Sequence, residues 1–374
     1  MHRSGLMHIF MVCLCYFLSG TLLGQTRKVG FNILTPKLEE QEKEVYSLWE
    51  KYLKDFNMDS YIQSSLWSQK ERLLYAVPDI DIVDIAIASD GFITYYPLVL
   101  NIQQLDSFFV IKTAFVGQKD SVPVLHSIYN VIAKKEGNVY KLHRFIDHYT
   151  KNYKYISVPN ITFFYPPSHA VKDSSIIRSI DFNHHLASFF QTSELDFKFY
   201  VFENTEQRIR AKGFDYNYLM FNSIQISGDV DPYSRIIYSG NGSEYYPHEM
   251  VHLYTNKLYS PVNIFFDEGI CTFLAGNLES FSTDMKNLKY FLSVNKNPVE
   301  EYMFKKTSEK KTNIKYAIAG IICAVAYEKM GLQGFKTLCT SPNSELIIFE
   351  TIEKVLGIKK QDLNAFIRKE LEKY

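Results

Sequence analysis

The sequence predicts an α+β protein: an N-terminal α+β domain with an antiparallel meander, followed by a domain whose C-terminal half is largely helical. Three observations carry this reading. Strand-like apolar runs separated by turn residues follow one another between Asp79 and Asp147. From Asp284 to the end of the chain nearly every segment reads as helix. Around residues 150–160 the first pattern breaks off, and a boundary is expected there between residues 25–155 and 156–374.

Two helices are expected first. Between Lys37 and Phe56, the apolar residues Val45, Leu48, Trp49, Tyr52, Leu53 and Phe56 recur at helical spacing, and residues 61–75 suggest a shorter helix. The strand candidates are then IVDIAIA, FITYYPLVL and SFFVIKTAFV, with Asp90-Gly91 as the turn between the first two. HSIYNVIAKK and NVYKLHRFID form a further hairpin joined at Glu136-Gly137-Asn138. That hairpin resembles the closing strands of nuclear-transport-factor-two-like domains, a likeness of pattern that assigns no chemistry. Past the boundary, ITFFYPP reads as a strand closed by Pro166-Pro167, residues 176–191 as a helix and DFKFYVFEN as a strand. Helices are expected over 284–294, 312–329, 331–339, 345–356 and 360–373. The pair His184-His185 is expected on a helix surface, because adjacent helical residues point about 100° apart and do not clamp one ion.

Composition narrows the class. Lys+Arg and Asp+Glu both number 41, so the net charge favours neither nucleic acid nor an anionic bilayer. With 46% hydrophobic and 22% charged residues, a disordered tail, a fibre and a multi-span membrane protein are excluded. Residues 1–24 stand apart: Arg3 precedes an apolar run, Ile9–Leu23, that ends at Gly24-Gln25. This is the pattern of a secretory signal, and the run is shorter than the about 20 residues of a membrane span. A cleaved signal and a periplasmic or secreted chain without a membrane span are expected, with an uncleaved anchor as the alternative. Two of five cysteines fall in that leader; Cys271, Cys323 and Cys339 allow at most one disulfide, so the fold must rest on its core.

The segment SEYYPHEMVHLYTNKLYSPVNIFFDEGICTFLAG (243–276) carries the chemistry. His248 and His252 of His-Glu-Met-Val-His lie four apart, on one helix face, where both imidazoles reach the same cation. Glu249 sits at the edge of that face, placed to hold a water rather than to bind the metal. Catalytic zinc takes three protein ligands, and Glu268 of Asp267-Glu268-Gly269, sixteen residues past His252, supplies the third after a turn at Ser260-Pro261. Ser243 is the expected N-cap and Pro247 a first-turn residue. Without such a third ligand, the motif would read as two buried histidines bonded to neighbouring carbonyls.

HEMVH followed by FFDEGICTFLAG resembles the gluzincin metallopeptidases, specifically the peptidase-MA-like bacterial proteins, although Phe265-Phe266 stands where Trp-Leu is usual. The likeness continues into YAIAGIICAVAYEKMGLQGFKTLC and GIKKQDLNAFIRKEL and covers roughly residues 160–374. It implies a zinc cofactor held by His248, His252 and Glu268, with Glu249 as general base and Tyr316 as a donor to the tetrahedral intermediate. Thr272 is expected to bond a ligand histidine, and Cys271 to be a small buried residue. No Gly-x-Met-Glu-Asn segment occurs, which disfavours an aminopeptidase. An exported zinc endopeptidase acting on a peptide or protein substrate is therefore expected, with no nucleic-acid partner. The strand around Arg235–Tyr238 is expected to pair with extended substrate. The alternatives are a catalytically silent scaffold that binds a partner or cell-envelope ligand, disfavoured by the intact Glu249, and a structural protein with accidental histidines.

Overall fold

A computed structural model describes residues 29–31, 37–55, 64–75, 78–79, 81–82, 95–221, 227–305 and 307–374. The leader, the strand candidate IVDIAIA beyond Ile82 and the Asp90-Gly91 turn lie outside these residues. Both helices and antiparallel strands are present, so the chain is α+β. By contacts it forms two units: one contains the two larger sheets and runs to Asp173 and over Phe197–Glu244, the other comprises Ser174–Asp196 and Tyr245–Tyr374. These limits differ from a single break at 150–160, because β9 (Phe214–Asn217) pairs with β4 (Val122–Glu136) of the meander.

In the sheet unit, β2 (Tyr96–Leu105), β3 (Phe108–Lys119), β4 and β5 (Val139–His143) form the expected meander, with the two-residue β1 (Gly30–Phe31) parallel to β2. The turn between β3 and β4 is Asp120-Ser121, both at positive φ, the backbone that matches the twist of a two-residue hairpin. The hairpin of β4 and β5 closes at Gly137-Asn138 as expected, with Glu136 opposite Val139. Helix α1 (Glu40–Asp55) lays Val45, Trp49, Tyr52 and Leu53 into the core with Phe109, Ile111, Phe115 and Tyr129. Trp49 is fully buried, and its indole N–H donates to Thr113 Oγ1 at 2.8 Å, which removes the cost of an unpaired donor. Within residues 61–75, helix α2 spans Gln69–Leu74.

A second sheet has the order β10 (Ser227–Asp231), β11 (Ile236–Gly240), β8 (Phe197–Val201), β7 (Ile161–Tyr165), β6 (Lys154–Val158). β11 is hydrogen-bonded on both sides, to β8 in parallel and to β10 antiparallel. The strand around Arg235–Tyr238 therefore has no free backbone edge for a substrate; the expectation fails because β10 occupies it.

The other unit is helical: α3 (Asp173–Phe189), α5 (Pro247–Tyr259), α6 (Ile264–Ala275), α7 (Phe281–Val294), α8 (Ile314–Met330), α9 (Leu332–Cys339), α10 (Glu345–Leu356) and α11 (Lys360–Glu370), with α4 (Thr205–Ala211) belonging to the sheet unit. The C-terminal helices fall within a few residues of their expected limits. His184 and His185 are exposed on α3. α6 and α8 pack closely enough that a Cβ on Gly269 would stand 2.7 Å from the Ala319 carbonyl and 2.8 Å from Cys323 Sγ. The glycine after Glu268 is thus a packing requirement: any side chain would push the helix that carries Glu268 off α8. Cys271, Cys323 and Cys339 are buried free thiols, so no disulfide forms among the described residues.

Candidate metal centre

α5 starts at Pro247, where a missing N–H costs nothing. Tyr246 occupies the N-cap position, and its side chain does not cap the helix N–H groups. Ser243 is not the cap: its N–H donates to Asn241 Oδ1 at 3.0 Å in the preceding turn. One face of α5 is pinned within its own unit, since the Tyr254 hydroxyl donates to Asn183 Oδ1 of α3 at 2.6 Å. α6 starts after Asn263, whose side chain accepts from the N–H groups of Phe265 and Phe266. The chain reverses at Ser260-Pro261 between the two helices, as expected.

This hairpin of helices brings His248, His252 and Glu268 together. The Nε2 atoms of the two histidines lie 3.1 and 3.7 Å from the same Glu268 Oε2. Two ligands about 2.0–2.1 Å from a tetrahedral zinc stand about 3.3 Å apart, close to each of the two histidine–Glu268 separations. The opposite ring nitrogens are anchored: His248 Nδ1 donates to the Gly276 carbonyl at 2.8 Å and His252 Nδ1 to Asp267 Oδ2 at 2.9 Å. A carbonyl only accepts, which fixes the proton on His248 Nδ1 and turns Nε2 to the shared point. Metal-binding imidazoles are typically oriented in this way.

A second donor set uses the same histidines: ligand atoms of His248, His252 and Cys271 lie within 4.8 Å of one another. Two facts favour Glu268 as the third ligand. Cys271 Sγ sits 3.3 Å from His252 Nδ1, the nitrogen already facing Asp267, not from the Nε2 that faces Glu268. Burial also pushes the Cys271 thiol well above its ordinary pKa, whereas Glu268 is held ionised and offers its carboxylate directly.

Electrostatics draw positive charge into the site. Burial opposes the charge on His248, but its hydrogen bond to Glu268 and that carboxylate's charge outweigh it, and the pKa rises. At His252, burial is likewise outweighed, by Cys271 and Asp267. Burial would raise Glu268, yet the hydrogen bond from His248 and the charge of His252 hold it at about 2. Tyr316 is raised first by the charge of Glu268 and then by burial, and its ring lies nearly parallel to His248 with centroids 6.3 Å apart. Glu249 is 7% exposed and makes no hydrogen bond or ion pair with any described residue. A buried carboxylate without a structural partner is costly to the fold, and its orientation is left to whatever enters the site.

Sequence reasoning missed two supports. Asp267 is buried and also accepts from Thr255 Oγ1, which ties α6 to α5; the neighbouring acid in Asp-Glu-Gly was the signal. The other support is backbone: Asp284, fully buried, accepts from Asn277 N–H at 3.0 Å and from Thr312 Oγ1 at 2.8 Å, holding the turn that presents the Gly276 carbonyl to His248. Gly276 has φ +73, and a Cβ there would collide with the Glu279 carbonyl. Thr272, the expected partner of a ligand histidine, makes no hydrogen bond among the described residues; its methyl packs against Gly320 instead. No family model matches the chain, and no curated protein matches it.

Proposed function

We propose that the chain is an exported zinc-dependent endopeptidase of gluzincin type, similar in its site to the peptidase-MA-like group, acting on a peptide or protein substrate. The observation that carries this is the convergence of His248 Nε2, His252 Nε2 and Glu268 Oε2, at 3.1 and 3.7 Å, beside a buried Glu249 that no described residue engages. Export rests on the leader pattern of residues 1–24. Among the described residues no helix is long and apolar enough to cross a membrane.

Bound zinc supplies Lewis acidity, which polarises a carbonyl and makes water nucleophilic near neutral pH. The protein supplies the proton handling. Glu249 takes the proton of the attacking water and delivers it to the leaving amine. The hydroxyl of Tyr316, whose ring lies beside His248, is the donor available to charge developing on the carbonyl oxygen; one such donor is typically worth roughly 3–4 kcal/mol. Asp267 and the Gly276 carbonyl hold the imidazole rings in register.

The test is Glu249→Gln, measured with wild type against casein and a peptide library, with bound zinc assayed in parallel. Gln keeps the size of Glu but accepts no proton, so the expected loss is on the order of 10²–10⁴ in rate at unchanged zinc content. Equal activity in both forms removes Glu249 as base. No activity in either form, with zinc bound, selects the silent-scaffold reading.

A further inference from the structure

We propose that the hairpin of β12 (Ser308–Glu309) and β13 (Thr312–Asn313) positions His248 from two sides, so that Thr312 and Asn313, neither of them a ligand, set how tightly the site holds its metal; the inference rests on the zinc reading above. The first side runs through hydrogen bonds. Thr312 is fully buried, and its hydroxyl accepts from Asn287 Nδ2 at 2.9 Å and donates to Asp284 Oδ1 at 2.8 Å. Asp284 and Asn287 stand three apart on one face of α7, so the helix fixes the hydroxyl. The other oxygen of Asp284 accepts from Asn277 N–H at 3.0 Å. That N–H and the Gly276 carbonyl belong to one trans peptide group, whose plane points the two in opposite directions. Holding the N–H against Asp284 therefore aims the carbonyl, and the carbonyl accepts from His248 Nδ1 at 2.8 Å.

The second side runs through the next residue. Asn313 is the N-cap of α8, and its side chain accepts from the N–H of Tyr316 at 3.4 Å. Ile314 N–H donates to the Thr307 carbonyl at 2.9 Å, which closes the base of the hairpin on the same turn. The start of α8 is thereby fixed, and from it the Tyr316 ring lies nearly parallel to the His248 ring, with centroids 6.3 Å apart. Adjacent residues of one short hairpin thus reach the same imidazole, one at its Nδ1 and one at its face. The remaining nitrogen, Nε2, stands 3.1 Å from Glu268 Oε2. Seating the hairpin needs none of this wiring. A valine has the shape of threonine and brings no hydroxyl into the core, and a buried acid such as Asp284 burdens the fold unless each oxygen finds a donor. Supports of this kind around ligand imidazoles raise metal affinity by holding the ring in one orientation.

The experiment measures the zinc affinity of the full chain by competition with a chelator, together with the visible absorption of the cobalt-substituted protein, whose bands report ligand geometry. Thr312→Val keeps the shape and removes the hydroxyl, and it should weaken zinc binding about tenfold and shift the cobalt bands. Thr312→Ser keeps both hydrogen bonds and should stay within about twofold of wild type, with the wild-type spectrum. Asn313→Ala removes the cap and should weaken zinc binding about threefold, and Asn313→Ser, which caps again, should restore it. Wild-type affinity and spectrum in either Thr312→Val or Asn313→Ala overturn the two-sided positioning and leave the zinc site standing. Serine variants as weak as Thr312→Val and Asn313→Ala overturn it as well, because packing and not hydrogen bonding is then what matters. Should Thr312→Val not fold, the Asn313 pair decides by the same criteria. A wild type that binds no zinc overturns the metal reading and the inference with it.

Discussion

In the sheet unit, buried charges close upon themselves. Asp81 accepts from Arg144 at 3.0 Å and from Lys212 at 3.0 Å, Lys212 reaches Asp229 at 2.9 Å, and Arg208 pairs with Asp229 in turn. The Arg144 guanidinium also lies 4.3 Å from the centre of the Tyr75 ring. In the helical unit the buried charges converge differently: one carboxylate, Glu268, faces two imidazoles, and a second, Glu249, faces no partner among the described residues. Both clusters contain groups whose pKa is displaced by burial and neighbours, so displaced titration alone does not separate them. Saturation does. A closed network serves the fold, whereas two imidazoles anchored at their far nitrogens turn their other nitrogens to one carboxylate, the arrangement typical of a metal centre.

Breaking the closed cluster should cost stability and leave metal binding alone. Asp81→Ala leaves Arg144 and Lys212 buried with a missing counter-charge, and such losses are typically worth 3–5 kcal/mol. Denaturant unfolding of the variant should show that loss, with zinc content equal to wild type. The pH dependence of the wild type follows from the same residue. Burial would raise the Asp81 carboxyl, but Lys212 and Arg144 outweigh it and hold the pKa below the ordinary 3.8. A lowered folded-state pKa means that the stabilisation is complete above the ordinary value and is lost as pH falls through the folded one. Asp81→Ala should therefore lack the part of acid destabilisation that wild type shows below about pH 4.

The open cluster should respond in the opposite sense. Asp267→Ala removes the anchor of His252 Nδ1 while leaving all three donor atoms, and loss of such a support typically lowers metal affinity 10–100-fold. Competition with a chelator would read this, and folding stability should change less than in Asp81→Ala. An unchanged affinity would mean that His252 is held by packing alone.

The sequence made the meeting of His248 and His252 legible because helical spacing is a local property: residues four apart share a face. The approach of Glu268 to both was legible through the Asp-Glu-Gly that follows the turn. What it hid depends on how helices cross. Thr272 shares the face of Glu268, yet α6 meets α8 there, and the residue is spent on packing against Gly320. Asp267, one residue before the ligand, reaches His252 because α6 folds back along α5. The Gly276 carbonyl has no side-chain signature at all; its placement depends on Asp284 and Thr312, the latter 36 residues further along the chain. In the same way, the hairpin of β4 and β5 was visible as two alternating runs around Gly137, whereas the pairing of β9 with the far half of β4 joins residues about 90 apart and leaves no local mark.

The central claim is that His248, His252 and Glu268 form the metal site, and metal analysis of purified variants tests it most directly. Wild type and Cys271→Ala should each carry one zinc per chain, while His252→Ala and Glu268→Ala should lose it. Equal zinc in all four proteins, or zinc retained in Glu268→Ala and lost in Cys271→Ala, would contradict the claim.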